Sequence, residues 1–310
     1  MDEVPLGAVR PVARRTTLDV LVAQLAPRTH DVEANIREAC RLVSEHPDAD
    51  LAVFAELYLQ SYALKGIEPI DVHAADGPLD AHAADGPLDA HAADGPLDAH
   101  AADGPLDALS DCARRHGTAL VVGAAIRETA GAPGMANAAL CIDEEGNLAA
   151  VYRKVHLFGA ERRLFSPGDE YVVVTLAGVA VGLLICYDLD FPEAARTVAA
   201  AGAELLVTVS ANMDPYASDH ALYARARAVE NRIPHVYVNA VGQEGRLRFC
   251  GGSTVADMTG RAVAALSGYE PAVRLVTVPL RPDPADPRPD YLAERRAEVS
   301  ARVVSPTHRI

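Results

Sequence analysis

The apolar positions of the chain fall into two periods. Short runs with little charge, bounded by Gly, Pro, Asp or Asn, predict strands at 17–24, 51–55, 118–126, 137–143, 148–154, 171–176, 179–185, 204–210 and 235–241. Between them lie stretches at helical spacing. Val32, Ile36, Ala39, Cys40 and Val43 follow the caps Thr29-His30-Asp31, and Pro47 closes that helix. A second amphipathic helix runs over 105–116 and stops at Gly117. Phe191-Pro192-Glu193 opens a third, with Pro in the first turn and Glu where a helix N-terminus favours negative charge; it continues to Ala201 and stops at Gly202. A fourth, rich in Ala and Arg, spans 219–231, and 252–278 alternates in short strands.

One segment breaks this order. His-Ala-Ala-Asp-Gly-Pro-Leu-Asp-Ala occurs four times without interruption, at 73–81, 82–90, 91–99 and 100–108. Identical copies at so short a period point to a tandem duplication rather than a solenoid. Gly-Pro in each copy forbids a continuous helix. The last copy runs into the helix at 105–116, so one copy belongs to the fold and three read as an insertion on a surface that tolerates it. His73, His82, His91 and His100 have no fixed face on which to gather a metal. A partner-binding arm is the other reading of the repeats.

Composition narrows the function. With 310 residues, half of them apolar, the chain can bury a large core, and it is read as a single domain over 1–310. A net charge of −15 argues against general affinity for nucleic acid or anionic membranes. No apolar run is long enough to span a bilayer as a helix. The five cysteines, Cys40, Cys112, Cys141, Cys186 and Cys250, show neither metal-knuckle nor disulfide-frame spacing, which suits a reducing cytoplasm. Residues 1–15 read as a loose leader, and 281–310, rich in Pro and charge, as a C-terminal arm that packs on a neighbour or a second subunit.

Three strand-like runs end on reactive groups. The uncharged run 179–185 delivers Cys186 to a sharp turn before a helix, where backbone N–H groups can face an oxyanion and the helix end favours a thiolate. Alone, Cys186 reads as well as a buried structural cysteine. The run 51–55 delivers Glu56, and 149–153 delivers Lys154. A thiol, a carboxylate and an ammonium, each at a strand end, make a nucleophile, a proton shuttle and an electrophilic clamp. The bland alternative for Glu56 and Lys154, a plain ion pair, leaves the cysteine unexplained.

Phe54-Ala55-Glu56-Leu57 with Tyr62, Tyr152-Arg153-Lys154-Val155-His156-Leu157-Phe158, and Cys186-Tyr187-Asp188 with Phe191-Pro192-Glu193 resemble the carbon–nitrogen hydrolase (nitrilase) superfamily, over about 18–278. Glu161, seven residues after Lys154, resembles the family's additional glutamate; a solvated cluster with Arg162 and Arg163 is its other reading. The resemblance implies an α/β fold, a four-layer α-β-β-α sandwich, and assembly as a homodimer or higher homo-oligomer. It also implies cysteine-thioester hydrolysis: Cys186 attacks, Glu56 moves protons, Lys154 and the Tyr187 N–H hold the oxyanion, and Glu161 orients Lys154 or substrate. No cofactor or metal is implied, since the lysine supplies the electrophile. A Trp after the nucleophile typifies true nitrilases, whereas this chain has Tyr187 and no Trp; carbamoylases usually place Arg or His soon after the cysteine, where Asp188 and Asp190 stand. The amidase-like branch is therefore expected, acting on a small amide, with Tyr62, Tyr187 and Asn212 as pocket candidates. Nitriles, N-carbamoyl compounds, or an inert scaffold displaying the repeats are the alternatives.

Overall fold

The computed structural model describes residues 15–72, 104–127 and 134–296. The first half runs β1 (Thr17–Gln24), α1 (Val32–Glu45), β2 (Leu51–Phe54), α2 (Pro105–His116), β3 (Ala119–Arg127), β4 (Met135–Ile142) and β5 (Leu148–Arg153). The second runs β6 (Val173–Leu176), β7 (Val179–Ile185), α3 (Pro192–Ala200), β8 (Leu205–Ser210), α4 (Ala217–Asn231) and β9 (His235–Asn239). The hairpin β10 (Val241–Glu244) and β11 (Leu247–Cys250) follows, then β12 (Thr254–Ala256), β13 (Ala262–Ala265) and β14 (Ala272–Pro279).

Two six-stranded sheets carry the fold, ordered β14-β1-β2-β3-β4-β5 and β13-β12-β9-β8-β7-β6. Each has a parallel centre, β1-β2-β3 in one and β7-β8-β9 in the other. Strand alternation sorts the side chains into three apolar layers. Val20, Val53 and Val121 of the first sheet meet Val181, Val207 and Val236 of the second between the sheets. The opposite face of the first sheet, with Leu21, Phe54 and Leu120, packs on α1 and α2 through Ile36, Leu42 and Leu109. Leu184, Leu206 and Tyr237 of the second sheet pack on α3 and α4 through Ala195, Val198 and Ala224. The architecture is a four-layer α-β-β-α sandwich. Each such aliphatic side chain removed from water contributes about 1.5–3 kcal/mol.

Local chemistry explains most boundaries. The Asp31 carboxylate accepts from the Ala34 N–H at 3.0 Å and starts α1. Pro105 sits in the first turn of α2, so residues 105–108 of the last repeat copy belong to that helix. Residues 73–103 of the repeats, with His73, His82, His91 and His100, lie outside the described residues, as do residues 1–14, 128–133 and 297–310. Just before them Ile70 bridges Ile126 and Asp71 pairs with Arg127 at 2.7 Å. The first part of the C-terminal arm lies on its own chain, through Arg281–Glu204 at 2.8 Å and Asp286–Arg232 at 2.7 Å. The strand expected over 235–241 ends at Asn239, and the hairpin 241–250 is an addition to the sequence reading. Its turn, Gly245-Arg246, separates strands whose residues are largely polar or exposed, so alternation is faint there.

His235, at the start of β9, is fully buried with both ring nitrogens engaged, by Ala224 O and Thr208 Oγ1, each at 2.8 Å. Burial lowers its pKa from 6.5 to about 4. The neutral ring is thus the folded form, and below pH 6.5 the unfolded chain binds a proton that the folded chain refuses. Stability is expected to fall between pH 6.5 and about 4 by an amount on the order of 3 kcal/mol from this residue. Urea unfolding across that range should show a shallower fall in His235→Gln; equal slopes would refute it.

Candidate active site

At one end of the sandwich the C-terminal ends of β2, β5, β7 and β8 converge and bring Glu56, Lys154, Cys186 and Ser210 together. Glu56 lies two residues beyond the end of β2, and its N–H meets the Ser210 carbonyl across the sheets at 3.4 Å. This close turn depends on Gly123 of β3: a Cβ there would lie 2.3 Å from the Ala55 carbonyl oxygen and 2.7 Å from Glu56 Cα. Lys154 follows β5. The loop beyond it returns at Gly168, whose N–H donates to Lys154 O at 2.8 Å, and a Cβ on Gly168 would lie 2.3 Å from Arg153 O.

Lys154 Nζ donates to Glu56 Oε1 at 2.5 Å and to Glu161 Oε1 at 2.9 Å, all three side chains being fully buried. One ammonium thus faces two carboxylates. Asn137 Nδ2 donates to Glu56 Oε1 at 2.8 Å and the Ala211 N–H to Oε2 at 2.9 Å. Glu161 lies in a 3-10 turn, Gly159–Arg163; its Oε2 accepts from the Phe158 N–H at 2.9 Å and its Oε1 from the Tyr62 hydroxyl. The alternative of a solvated cluster does not hold, because Glu161 is buried and Arg162 donates instead to Leu157 O at 3.1 Å.

Cys186 opens a second 3-10 turn, Cys186–Asp190, in a left-handed conformation with φ 43°. Such a backbone is costly for a residue with a Cβ and persists only where its surroundings enforce it. Asp188 does much of this. Fully buried, it accepts from the Ile185 N–H at 3.0 Å, the Tyr152 hydroxyl at 2.7 Å, and the His156 N–H and Nδ1 at 2.8 and 2.9 Å. It ties the Cys186 turn to the strand and loop that present Lys154. From α4, Arg227 donates to Leu189 O and Asp190 O, each at 3.1 Å, and holds the far end of the turn.

The electrostatics are those of a buried, coupled set. Burial raises the Glu56 pKa, opposed by Lys154 and supported by Glu161. Burial works against the Lys154 charge, yet the two carboxylates lift its pKa above the ordinary value. Burial and the Glu56 charge push the Cys186 thiol well up, against the pull of Lys154 and a hydrogen bond from Ser210. This corrects the expectation that the turn favours a resting thiolate: α3 begins only at Pro192, a full 3-10 turn beyond the sulfur. The thiol rests protonated, near a carboxylate whose own proton affinity is also raised by burial.

The pocket candidates separate. Tyr62 joins the polar cluster through Glu161. Tyr187 packs edge-on against Phe158 and Phe191, on the wall of a cleft of about 410 Å³ shared with His156, Leu157, Phe165 and Pro167. Asn212 is a loop anchor: its side chain donates to Tyr216 O at 3.1 Å and its carbonyl accepts from Asn239 Nδ2 at 3.1 Å. Among the described residues no cluster of three His, Cys, Asp or Glu side chains could hold a metal, and no helix is long and apolar enough to cross a membrane. Asn137 and Ser210 were given no role in the sequence reading, and Asp188 entered it only as part of the Cys186-Tyr187-Asp188 motif; the position of Ser210 at a strand end could have flagged it.

Residues 20–281 match the family model described as carbon–nitrogen hydrolase. A Pseudomonas protegens protein named hydrolase in pqqF 5'region is 36% identical over 266 residues, covering 84% of this chain and 83% of that protein. An (R)-stereoselective amidase from Pseudomonas sp. is 42% identical over 166 residues, covering 53% of this chain and 60% of that one. The crystal structure of an amidase from Nesterenkonia sp. superposes with a TM-score of 0.71 at 29% identity, over 92% of this chain and 95% of that chain. A mutant of that amidase carries the acetamide moiety of fluoroacetamide on its active site cysteine.

Proposed function

The chain belongs to the carbon–nitrogen hydrolase family, and from that premise we propose that it hydrolyses a small amide to a carboxylic acid and ammonia through a thioester on Cys186. The observation that carries the reading is the buried Glu56–Lys154–Glu161 set at the end of the sandwich where β7 also presents Cys186. Cys186 Sγ attacks the amide carbonyl as Glu56 takes the thiol proton. Lys154 and the Tyr187 N–H stabilise the oxyanion. Glu56 hands its proton to the departing nitrogen, and ammonia leaves a thioester. Glu56 then activates water, which releases the acid and restores the thiol. Glu161 holds Lys154 in place, with Tyr62 steadying Glu161, while Tyr187 shapes the acyl pocket.

The likeness to amidases favours amides over nitriles and N-carbamoyl compounds. We also propose a homo-oligomer formed through the α3–α4 layer, where Leu222 is 64% exposed and Tyr216 42%, and a reducing cytoplasmic setting in keeping with five unbridged cysteines. The repeats are proposed to be an insertion incidental to catalysis. Ammonia release from matched panels of small amides, nitriles and N-carbamoyl compounds tests the reaction, with a chain lacking 73–99 run alongside. Amides are expected to be the best substrates for both chains. Preferential release from nitriles would overturn the amidase reading, and loss of activity in a folded shortened chain would overturn the incidental role of the repeats.

A further inference from the structure

Glu56 is held from both sheets, and its two carboxylate oxygens are held differently. Oε1 accepts from Lys154 Nζ at 2.5 Å and from Asn137 Nδ2 at 2.8 Å. Each carboxylate oxygen offers two lone-pair sites, so Oε1 is filled. Among the described residues Oε2 accepts only from the Ala211 N–H, at 2.9 Å, and keeps a second site. That oxygen lies at the end of the second sheet. There Ile185 of β7 is registered against Val209 of β8, which brings Cys186 beside Ser210, the residue before Ala211. Of the two oxygens, Oε2 is the one open to a proton from the Cys186 side.

Asn137 is fully buried in β4 and touches both of the groups that flank it. Its carbonyl accepts from the Lys154 N–H at 2.8 Å, so one residue grips Lys154 by the backbone and Glu56 by the side chain. Its Oδ1 has no hydrogen-bond partner among the described residues. A buried acceptor left unpaired costs stability. Turning the amide over would bring no relief, because Oδ1 would then face the Glu56 carboxylate. For the fold alone an apolar side chain would serve better; what accounts for the amide is the donation of Nδ2 to Glu56. We propose, on the reading that Glu56 is the general base, that Asn137 is a positioning residue for it: with Lys154 it fills Oε1 and so assigns proton transfer to Oε2. The thiol proton goes to Oε2 as the sulfur bonds to the carbonyl carbon, and leaves Oε2 with the departing nitrogen. Lys154 and Asn137 keep Oε1 throughout. The Nδ2 donor also favours the ionised carboxylate, the form that can accept that proton. The other titratable groups around Glu56 are Lys154 after β5, Glu161 in its 3-10 turn, Cys186 after β7 and Tyr62 in the loop after β2.

Asn137→Leu keeps the branching of the side chain and removes the donor. The Glu56 titration is read without substrate, by NMR of the full-length protein labelled at the glutamate side-chain carboxyl carbons; the Glu56 signal is the one missing from Glu56→Gln. Its midpoint in Asn137→Leu should lie about half to one pH unit above the parent's, because the charged form has lost a donor. The acid limb of the amide-hydrolysis profile should move up with it. At a fixed pH on that limb, turnover should fall about three- to tenfold with KM little changed. A residue that served only the fold would not move either midpoint. An unchanged Glu56 midpoint in folded Asn137→Leu overturns the proposal, whatever the amide assay gives. A shifted midpoint with an unshifted acid limb overturns it too, since the Glu56 proton would then not govern the rate. A parent that hydrolyses no amide overturns the amide reading instead and leaves the NMR titration to decide on Asn137. Should Asn137→Leu fail to fold, Asn137→Ala removes the same donor and is read the same way.

Discussion

Cys186→Ala is expected to fold as the parent does and to release ammonia at least about 10⁴-fold more slowly from any amide the parent hydrolyses. The substitution removes one sulfur at the edge of the inter-sheet layer and leaves Glu56, Lys154 and Glu161 with all their mutual hydrogen bonds. Amide affinity should therefore survive, and equilibrium binding of a substrate amide to the variant separates lost chemistry from lost binding. Rates above about 1% of the parent's would remove Cys186 from the mechanism. In the parent, activity should decline on the acid side as Glu56 takes up a proton. Because burial raises that pKa even against the pull of Lys154, the decline should begin above the ordinary carboxylate value of 4.5, not at it. A rate profile flat from pH 7 to 4.5 would argue against Glu56 as the base.

Lys154→Met should show the largest combined loss. Met nearly matches the lysine stem in shape but leaves Glu56 and Glu161 buried without the ammonium that donates to both at 2.5 and 2.9 Å. Breaking a buried pair from one side costs about 3–5 kcal/mol, and loss of the oxyanion clamp a further 10²–10³-fold in turnover. The pH dependence has a definite sign. Without Lys154 the Glu56 pKa, already raised by burial, rises further in the folded state than in the unfolded one. The variant should then be most stable at low pH, where Glu56 is neutral, and lose stability as pH rises through its folded-state pKa. Thermal unfolding of variant and parent between pH 5 and 8 checks this: a gap that narrows toward pH 5 supports the buried triad, and a constant gap counts against it.

Residue patterns alone carried β1 to its observed limits, Thr17–Gln24, and placed α2 between Pro105 and Gly117. They did so because period-2 burial and helix-terminal chemistry are local. The same locality made Glu56, Lys154 and Cys186 readable, since each charged or reactive residue interrupts an apolar run at its end. Asn137, Asp188 and His220 carry no such mark. Asn137 lies inside β4, and its importance comes from a carboxylate 81 positions away in the chain. Asp188 reads as one more acid in an acidic chain, yet it gathers donors from β5, from the loop after it and from the end of β7. His220 looks like a surface residue near the start of a polar helix until β9 and the Cys186–Asp190 turn close around it.

The chain by itself determined which residues could do chemistry and where strands would hand them over, because strand length, turn chemistry and apolar periodicity depend on near neighbours. It could not determine the charge state of the thiol. That was decided only when two sheets stacked, since stacking excludes water from Cys186 and sets Glu56 beside it, which raises the thiol pKa where the isolated turn favours a thiolate. Solvation and through-space charge depend on what the fold brings near, and no stretch of sequence contains that.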